Sequence, residues 1–164
     1  MDPTKPLTIV FDGYCKACTK VVAFLGRRDK AKRLNMVPNQ APDALQTYSL
    51  TQSEVQRAVW AIEADGTRYE GAAAANRILA SLGGFWATVA SLYRFRAIRW
   101  LEDTFYHWFS ANRHHFGWMW HITAYCDQPG SNCLPYQEAL EDAQVGPSQL
   151  AIGGGGGGPV KEED

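Results

Sequence analysis

The residues best suited to chemistry are two cysteines separated by two residues. Cys15 and Cys18 stand within residues 11–18, which read FDGYCKAC. This spacing brings the two sulfurs within bonding reach across one helical turn. Partial positive charge at a helix N-terminus favours a thiolate at the first cysteine, and Lys16 adds a nearby cation. We therefore predict that Cys15 is the nucleophile and that Cys18, better shielded one turn into the helix, is the resolving thiol.

Short strand and helix patterns surround this pair. The apolar run from Leu7 to Phe11 predicts a buried strand that ends at the turn signal of residues 12–13. Apolar positions from Val21 to Leu25 then recur at helical spacing, and residues 33–37 before Pro38 predict a second strand. Strand, helix and strand in this order predict a parallel βαβ unit with a right-handed crossover.

The next segment continues this pattern to residue 84. Residues 51–54 (TQSE) offer a capping box for a short helix, and residues 58–62 predict a third strand. Asp65-Gly66 predicts a hairpin turn into a returning strand at residues 67–69, and Gly71 precedes a helix over residues 72–82. The sequence therefore predicts the βαβ-α-ββα order of a thioredoxin-like α/β sandwich.

Three regions differ in composition: a redox domain over residues 1–84, a helical extension over 85–145 and a tail over 146–164. Five of the six tryptophans fall in residues 85–125, together with several arginines. We expect amphipathic helices that pack these aromatics onto the domain and keep the arginines in water. The alternative is docking to a membrane surface or a protein. The glycine-rich tail predicts a flexible segment.

Overall composition excludes several classes of protein. The chain has 164 residues, 46% of them hydrophobic and 20% charged, so it can bury a core. A formal net charge of −1 argues against a nucleic-acid partner bound through a basic surface. Four cysteines are too few for a secreted disulfide framework, and the sequence shows neither a signal-peptide core nor a membrane-spanning run. These features predict a cytoplasmic protein.

Two other interpretations of the cysteine segment remain to be compared. A zinc site needs two further ligands, and the candidates lie far along the chain: Cys126, Cys133, His121 and the pair of residues 114–115. A strand followed by Asp also occurs in haloacid-dehalogenase phosphatases, which carry a second Asp and a Thr at the positions that Tyr14 and Lys16 occupy here. Zinc therefore stays an alternative, and the phosphatase interpretation is disfavoured.

Several polar residues have competing predicted roles. Asp12 either forms the turn or caps the helix, or it accepts the proton of Cys18 when a mixed disulfide resolves. Four roles remain for Cys126 and Cys133. They relay electrons with Cys15 and Cys18, close a local disulfide, complete a zinc site with His121, or are two unrelated free thiols. Arg113 is predicted to be a structural anchor that binds carbonyls at a helix end.

Residues 11–18 resemble the signature of the DCC family of thiol-disulfide oxidoreductases, named for the residues that stand here as Asp12, Cys15 and Cys18. Further matches run from Leu7 to Pro135. They are Asp29, Leu34, Val37-Pro38, Asp65-Gly66, residues 71–79, the aromatic stretch from Tyr106 to Asn112-Arg113, and Cys133-Leu134-Pro135. The resemblance implies a thioredoxin-like fold and dithiol-disulfide exchange, with Cys15 and Cys18 as the redox pair and Asp12 as the accompanying acid.

The chain departs from typical thioredoxin-like enzymes before its third strand. Such enzymes usually place a cis-proline there, facing the two cysteines, whereas this sequence has residues 57–59 (RAV). We therefore expect substrate docking to differ. The expected activity is exchange with a protein or small-molecule disulfide, without a metal or organic cofactor. The alternatives are a structural module in which Cys15 and Cys18 bind zinc, and a non-catalytic adapter that docks through its tryptophan-rich helices.

Overall fold

The structure is a computed structural model that describes residues 6–113 and 123–135. The described residues form four strands and six α-helices, with two short 3₁₀ helices at Leu92–Arg94 and Tyr125–Asp127. The strands are β1 (Leu7–Phe11), β2 (Leu34–Pro38), β3 (Trp60–Ile62) and β4 (Arg68–Glu70). The helices are α1 (Lys16–Arg28), α2 (Ala44–Thr47), α3 (Gln52–Arg57), α4 (Gly71–Leu82), α5 (Gly84–Ser91) and α6 (Arg96–Asn112).

The strands form one mixed sheet in the order β2-β1-β3-β4. β1 pairs in parallel with β2, so that Leu7 lies opposite Leu34 and Phe11 opposite Pro38. β3 runs antiparallel to β1, and β4 antiparallel to β3. The predicted βαβ unit and the hairpin that follows it are therefore confirmed, in a mixed α/β arrangement consistent with a thioredoxin-like fold.

The core lies on both faces of the central strand β1. Because side chains alternate along a strand, Ile9 joins one apolar cluster, with Leu25 of α1 and Ile78 of α4. Val10 joins a second cluster on the opposite face, with residues that include Val55 of α3. Burial on both faces explains why residues 7–11 read as a nearly continuous apolar run.

Local signals fix the ends of several elements. Thr51 begins α3 with a full capping box, because its hydroxyl accepts from the backbone N–H of Glu54 and the Glu54 carboxylate accepts from the backbone N–H of Thr51. Asp65 accepts a hydrogen bond from the Thr67 backbone N–H at 2.8 Å and shapes the β3–β4 turn. Gly66 adopts a left-handed φ of +88° in this turn, which glycine tolerates without steric cost.

The helical extension is present, and its aromatics pack onto the domain only in part. No residue of α6 is buried, and Trp100, Phe105 and Trp108 are 68%, 61% and 54% exposed. Other α6 residues contact the domain: the Tyr106 ring packs against Gly71, Phe109 lines a cavity with residues of α1 and α4, and the Tyr106 and Ser110 hydroxyls are hydrogen-bonded. The expected packing is therefore confirmed for Tyr106 and Phe109 and wrong for the apolar stripe of Trp100, Phe105 and Trp108, which faces solvent.

Two further sequence predictions concern the ends and the membrane. Within the described part of the chain, no helix is both long enough and apolar enough to cross a membrane. The flexible tail predicted for residues 146–164 lies outside the described residues. The division between redox domain and extension at residue 84 stays a prediction.

Residues 123–135 fold back against the loop between β1 and α1. The backbone N–H of Cys126 donates to the Gly13 carbonyl at 3.1 Å, and that of Leu134 donates to the Gln40 carbonyl at 2.8 Å. A disulfide joins Cys126 to Cys133 within this segment. The Gly13 position leaves no room for a side chain, because a Cβ atom there would collide with the Cys126 sulfur and lie 2.7 Å from Gln40 Oε1.

We predict that Gly13→Ala destabilises the protein by about 1–3 kcal/mol, because the added methyl group overpacks this contact. Gly26→Ala is the matched control, since a Cβ in the last turns of α1 meets only Met36 Cε at 3.9 Å. Removing a helical glycine there should stabilise the fold by roughly 0.5–1 kcal/mol. Urea unfolding of both variants measures the two effects, and equal stability of Gly13→Ala and wild type would contradict the packing described.

Candidate active site

The two cysteines of residues 11–18 flank the first turn of α1. Cys15 is the N-cap residue, with extended backbone angles, and its Sγ accepts a hydrogen bond from the Cys18 backbone N–H at 3.3 Å. The sequence places this turn directly after β1, so Cys15 Sγ lies at the N-terminus of α1, where the partial positive charge of the helix favours a thiolate. Both thiols are free in the structure. The predicted placement of the pair at a helix N-terminus is therefore confirmed.

The relative burial of the two thiols differs from the prediction. Cys15 is only 2% exposed, whereas Cys18 is partly exposed. Cys15 is enclosed because its carbonyl accepts from the Thr19 hydroxyl, which in turn accepts from the Tyr125 backbone N–H of the C-terminal segment. Cys18 faces instead a cavity between α1, α4 and α6. The expectation that Cys18 is the better shielded thiol is thus wrong.

The thiols nonetheless divide into a thiolate and a thiol as predicted. A hydrogen bond from the Cys18 side chain lowers the pKa of Cys15 to about 7, against the opposing effect of burial. The Cys18 backbone N–H and the Arg113 charge lower it further, and the Asp12 charge raises it. The same hydrogen bond to Cys15, together with burial, raises the pKa of Cys18. At neutral pH the pair therefore carries its negative charge on Cys15.

Arg113 supplies a cation at this site. It follows the last residue of α6, is 5% exposed, and donates from Nη2 to the Gln56 carbonyl in the last turn of α3. Its Nη1 lies 3.8 Å from Cys18 Sγ, and its Nη2 lies 3.7 Å from Asp12 Oδ2. The prediction of an anchor on a helix-end carbonyl is confirmed. Sequence reasoning missed that the same guanidinium reaches the dithiol, and the family-like pair Asn112-Arg113 was the available signal.

Asp12 shapes the loop before the helix. Its Oδ1 accepts hydrogen bonds from the Tyr14 backbone N–H at 3.0 Å and from Gln40 Nε2 at 3.1 Å. The Gln40 side chain is held in turn by the Gly13 backbone N–H, which donates to Gln40 Oε1 at 2.9 Å. The predicted turn-forming role of Asp12 is therefore confirmed. Its predicted helix-capping role is wrong, because Cys15 occupies the cap position.

The second cysteine pair forms a local disulfide between Cys126 and Cys133, one of the predicted roles. The interpretation as two unrelated free thiols is therefore wrong. Within residues 6–113 and 123–135, no group of three or more His, Cys, Asp or Glu side chains is arranged to hold a metal ion. His121 and residues 114–115, which were candidate zinc ligands, lie outside the described residues.

The segment before β3 is bound by α6. The Tyr106 hydroxyl accepts from the Val59 backbone N–H at 2.9 Å, the Ser110 hydroxyl donates to the Arg57 carbonyl, and Arg113 donates to the Gln56 carbonyl. Every peptide bond of the described residues is trans. Typical thioredoxin-like enzymes carry a cis-proline at this place. Here the Val59 N–H and the carbonyls of residues 56 and 57 are instead hydrogen-bonded to side chains of α6 and of Arg113.

Comparison with known families agrees with this geometry. The model of the DCC1-like thiol-disulfide oxidoreductase family matches residues 9–119. The chain belongs to this family, which confirms the resemblance drawn from residues 11–18. No curated protein and no solved structure shows significant similarity to the chain. The match spans β1 to α6, so it includes both cysteines, Asp12 and Arg113.

We predict that Arg113→Gln raises the pKa of Cys15 and that Asp12→Asn lowers it, because the first removes a stabilising positive charge and the second removes a repelling negative charge. The thiolate fraction of wild type should rise with pH to half its maximum near the Cys15 pKa of about 7. Ultraviolet absorbance of the thiolate against pH, with Cys15→Ser as the blank, measures each midpoint.

The two variants serve as controls for each other, because both disturb the contact between Arg113 and Asp12 but shift the charge at Cys15 in opposite directions. Midpoints that move the same way in both variants would mean that lost packing, and not charge, governs the Cys15 thiolate.

Proposed function

We propose that the protein is a thiol-disulfide oxidoreductase in which Cys15 attacks a substrate disulfide and Cys18 releases the product. The observation that carries the proposal is the lowered pKa of Cys15, about 7, within a hydrogen-bonded cysteine pair at the start of α1. A thiolate present at neutral pH and an adjacent thiol are the two groups that such an exchange requires. Membership of the DCC1-like family supports the same reaction class.

The proposed exchange proceeds in two balanced steps. The Cys15 thiolate attacks one sulfur of the substrate disulfide, a mixed disulfide forms, and the second substrate sulfur leaves as a thiolate that takes up a proton. Cys18 then loses its proton and attacks Cys15 Sγ, which releases the other substrate thiolate. The products are a disulfide between Cys15 and Cys18 and a substrate reduced by two electrons. A second dithiol of the reductant class restores the starting state.

The proposed order of the two thiols follows from their charge. While Cys15 is a thiolate, its charge and its hydrogen bond raise the pKa of Cys18 and keep Cys18 protonated. Once Cys15 is in a mixed disulfide, that charge is gone, so the Cys18 thiolate forms more easily. The Arg113 guanidinium, 3.8 Å from Cys18 Sγ, favours this second thiolate. Asp12, on the same guanidinium, is the proposed proton acceptor.

We place this activity in the cytoplasm on the sequence argument alone. Disulfides persist poorly in reducing compartments unless they take part in redox chemistry. In the cytoplasm the Cys126–Cys133 disulfide would therefore be a second exchangeable couple beside the loop that carries Gly13. Electron transfer between the two cysteine pairs is therefore a part of the proposal.

We predict that the Cys15–Cys18 pair of wild-type protein shows a reversible two-electron transition in glutathione buffers, and that this transition is lost in Cys15→Ser and in Cys18→Ser. The double variant Cys126→Ser with Cys133→Ser is the matched control and should retain the transition. Alkylation followed by mass spectrometry reports the state of each thiol. In Cys18→Ala the substrate should remain trapped on Cys15, because no resolving thiol is present.

The same preparation separates the alternatives. Thiols that resist oxidation while zinc co-purifies at about one equivalent would assign the pair to a structural metal site. A substrate adduct that forms first on the more exposed Cys18 would reverse the roles of the two cysteines and leave the exchange reaction standing.

We propose a second function, peripheral docking of α6 to an anionic membrane surface. The observation that favours it is the exposed apolar stripe of Trp100, Phe105 and Trp108 together with Leu101; Leu101, Phe105 and Trp108 recur at intervals of four and three residues and so share one face of α6. Three exposed arginines lie at the start of this region: Arg94, Arg96 and Arg99. The acidic side chains of α6 are instead hydrogen-bonded within the protein, Glu102 by Asn76 and Asp103 by the Tyr93 hydroxyl.

We predict that the protein co-sediments with vesicles that contain phosphatidylserine and much less with vesicles of phosphatidylcholine alone. The double variant Trp100→Ser with Phe105→Ser should lose binding to both, and added salt should weaken binding to the anionic vesicles, since each arginine contributes about 1 kcal/mol near such a surface. Equal binding to the two vesicle types would remove the electrostatic argument. Self-association of the chain without vesicles would assign the stripe to a second copy.

A further inference from the structure

An apolar cavity lies beside the cysteine pair, between α1, α4 and α6. Its volume is about 380 Å³, which is within the range of pockets that bind small molecules. Apolar side chains form most of its wall. They come from β1, α1, α4 and α6, and include Val21 of α1, Ala75, Ile78 and Leu79 of α4 and Phe109 of α6.

Polar groups of the candidate active site also line this cavity. Cys18, Asp12 and Arg113 are among the lining residues, so a molecule inside it lies next to Cys18, which is hydrogen-bonded to Cys15; Cys15 itself does not line the cavity. Arg113 is 5% exposed, and its Nε has no hydrogen-bond partner among the described residues. A buried guanidinium N–H without an acceptor is costly, and an acceptor atom on a bound ligand would satisfy it.

The structure disfavours an extended peptide as the occupant. A peptide that paired as a strand beside the dithiol would need free backbone groups before β3. Tyr106, Ser110 and Arg113 already occupy the Val59 N–H and the carbonyls of residues 57 and 56. The accessible route to Cys18 is therefore the apolar cavity. A ligand there would be held by apolar contacts and not by hydrogen bonds to a strand backbone.

We propose that this cavity binds the substrate, and that the substrate is a low-molecular-weight disulfide with an uncharged apolar tail and one acceptor group. The proposal rests on the proposed exchange reaction and names its substrate class. The tail lies against Val21, Ile78 and Leu79, and the acceptor group takes the free N–H of Arg113. The disulfide of the substrate receives two electrons from Cys15 and Cys18, which become a disulfide, and two protons complete the reduced substrate.

Lipoamide is a suitable probe, because it carries a cyclic disulfide, an alkyl chain and a neutral amide acceptor. Oxidised glutathione, which is charged and polar, is the comparison substrate. We predict that Ala75→Leu, which fills the cavity from α4, lowers the rate of oxidation by lipoamide about tenfold more than the rate of oxidation by glutathione. Ala73→Leu, on the same helix but outside the cavity lining, should change neither rate.

A second measurement separates failure of the cavity from failure of the reaction. An analogue of lipoamide with carbon in place of both sulfurs should bind Cys15→Ser protein by calorimetry, and Ala75→Leu should weaken that binding. Binding without any exchange would overturn the proposed reaction and keep the site. The cavity proposal would be overturned if Ala75→Leu slowed exchange with lipoamide and with glutathione equally and the analogue did not bind. If Ala75→Leu fails to fold by circular dichroism, Leu79→Phe repeats both tests from a neighbouring wall position.

Discussion

Parallel pairing of β1 with β2 is the constraint on which the site depends. Parallel neighbours cannot be joined by a tight turn, so the chain must cross the sheet, and α1 is that crossover. The N-terminus of α1 must then lie at the carboxyl end of β1, where Cys15 becomes the cap residue. The hydrogen bond from the Cys18 N–H to Cys15 Sγ caps the N-terminus of α1, and the same bond stabilises the Cys15 thiolate. Folding and reactivity therefore share one interaction.

A buried guanidinium joins the helical extension to this site. Burying an arginine is costly unless its donors are satisfied, and Arg113 meets part of this demand with the Gln56 carbonyl and the Asp12 carboxylate, while its Nε has no partner among the described residues. Both partners lie in the part of the chain before α4, so the end of α6 is fixed where the Arg113 charge acts on both thiols. The extension is thus a part of the candidate site as well as an addition to the fold.

The elements with local signals could be predicted, and the contacts between distant segments could not. The apolar run of β1, the Thr51 capping box and the Asp65-Gly66 turn each depend on a few adjacent residues, and all three are confirmed. An apolar stripe on α6 could be read from its spacing, but spacing does not say which face the helix turns to the domain. Arg113 stands 95 residues from Cys18, so no local pattern linked the two.

The burial of the two cysteines likewise depends on contacts between distant segments, which the sequence did not predict. Helical position alone suggested that Cys18 is shielded, because it lies one turn further into α1 than Cys15. The C-terminal segment reverses this by bonding to Thr19 beside Cys15, while α4 and α6 leave a cavity beside Cys18. α6 closes the backbone route before β3 and lines this cavity, and Arg113 at its end adds to the charge effects on both thiols. If the cavity binds the substrate as proposed, α6 therefore contributes both to the reactivity of the thiols and to the choice of substrate, and a family member with a different helix in this place would differ in both.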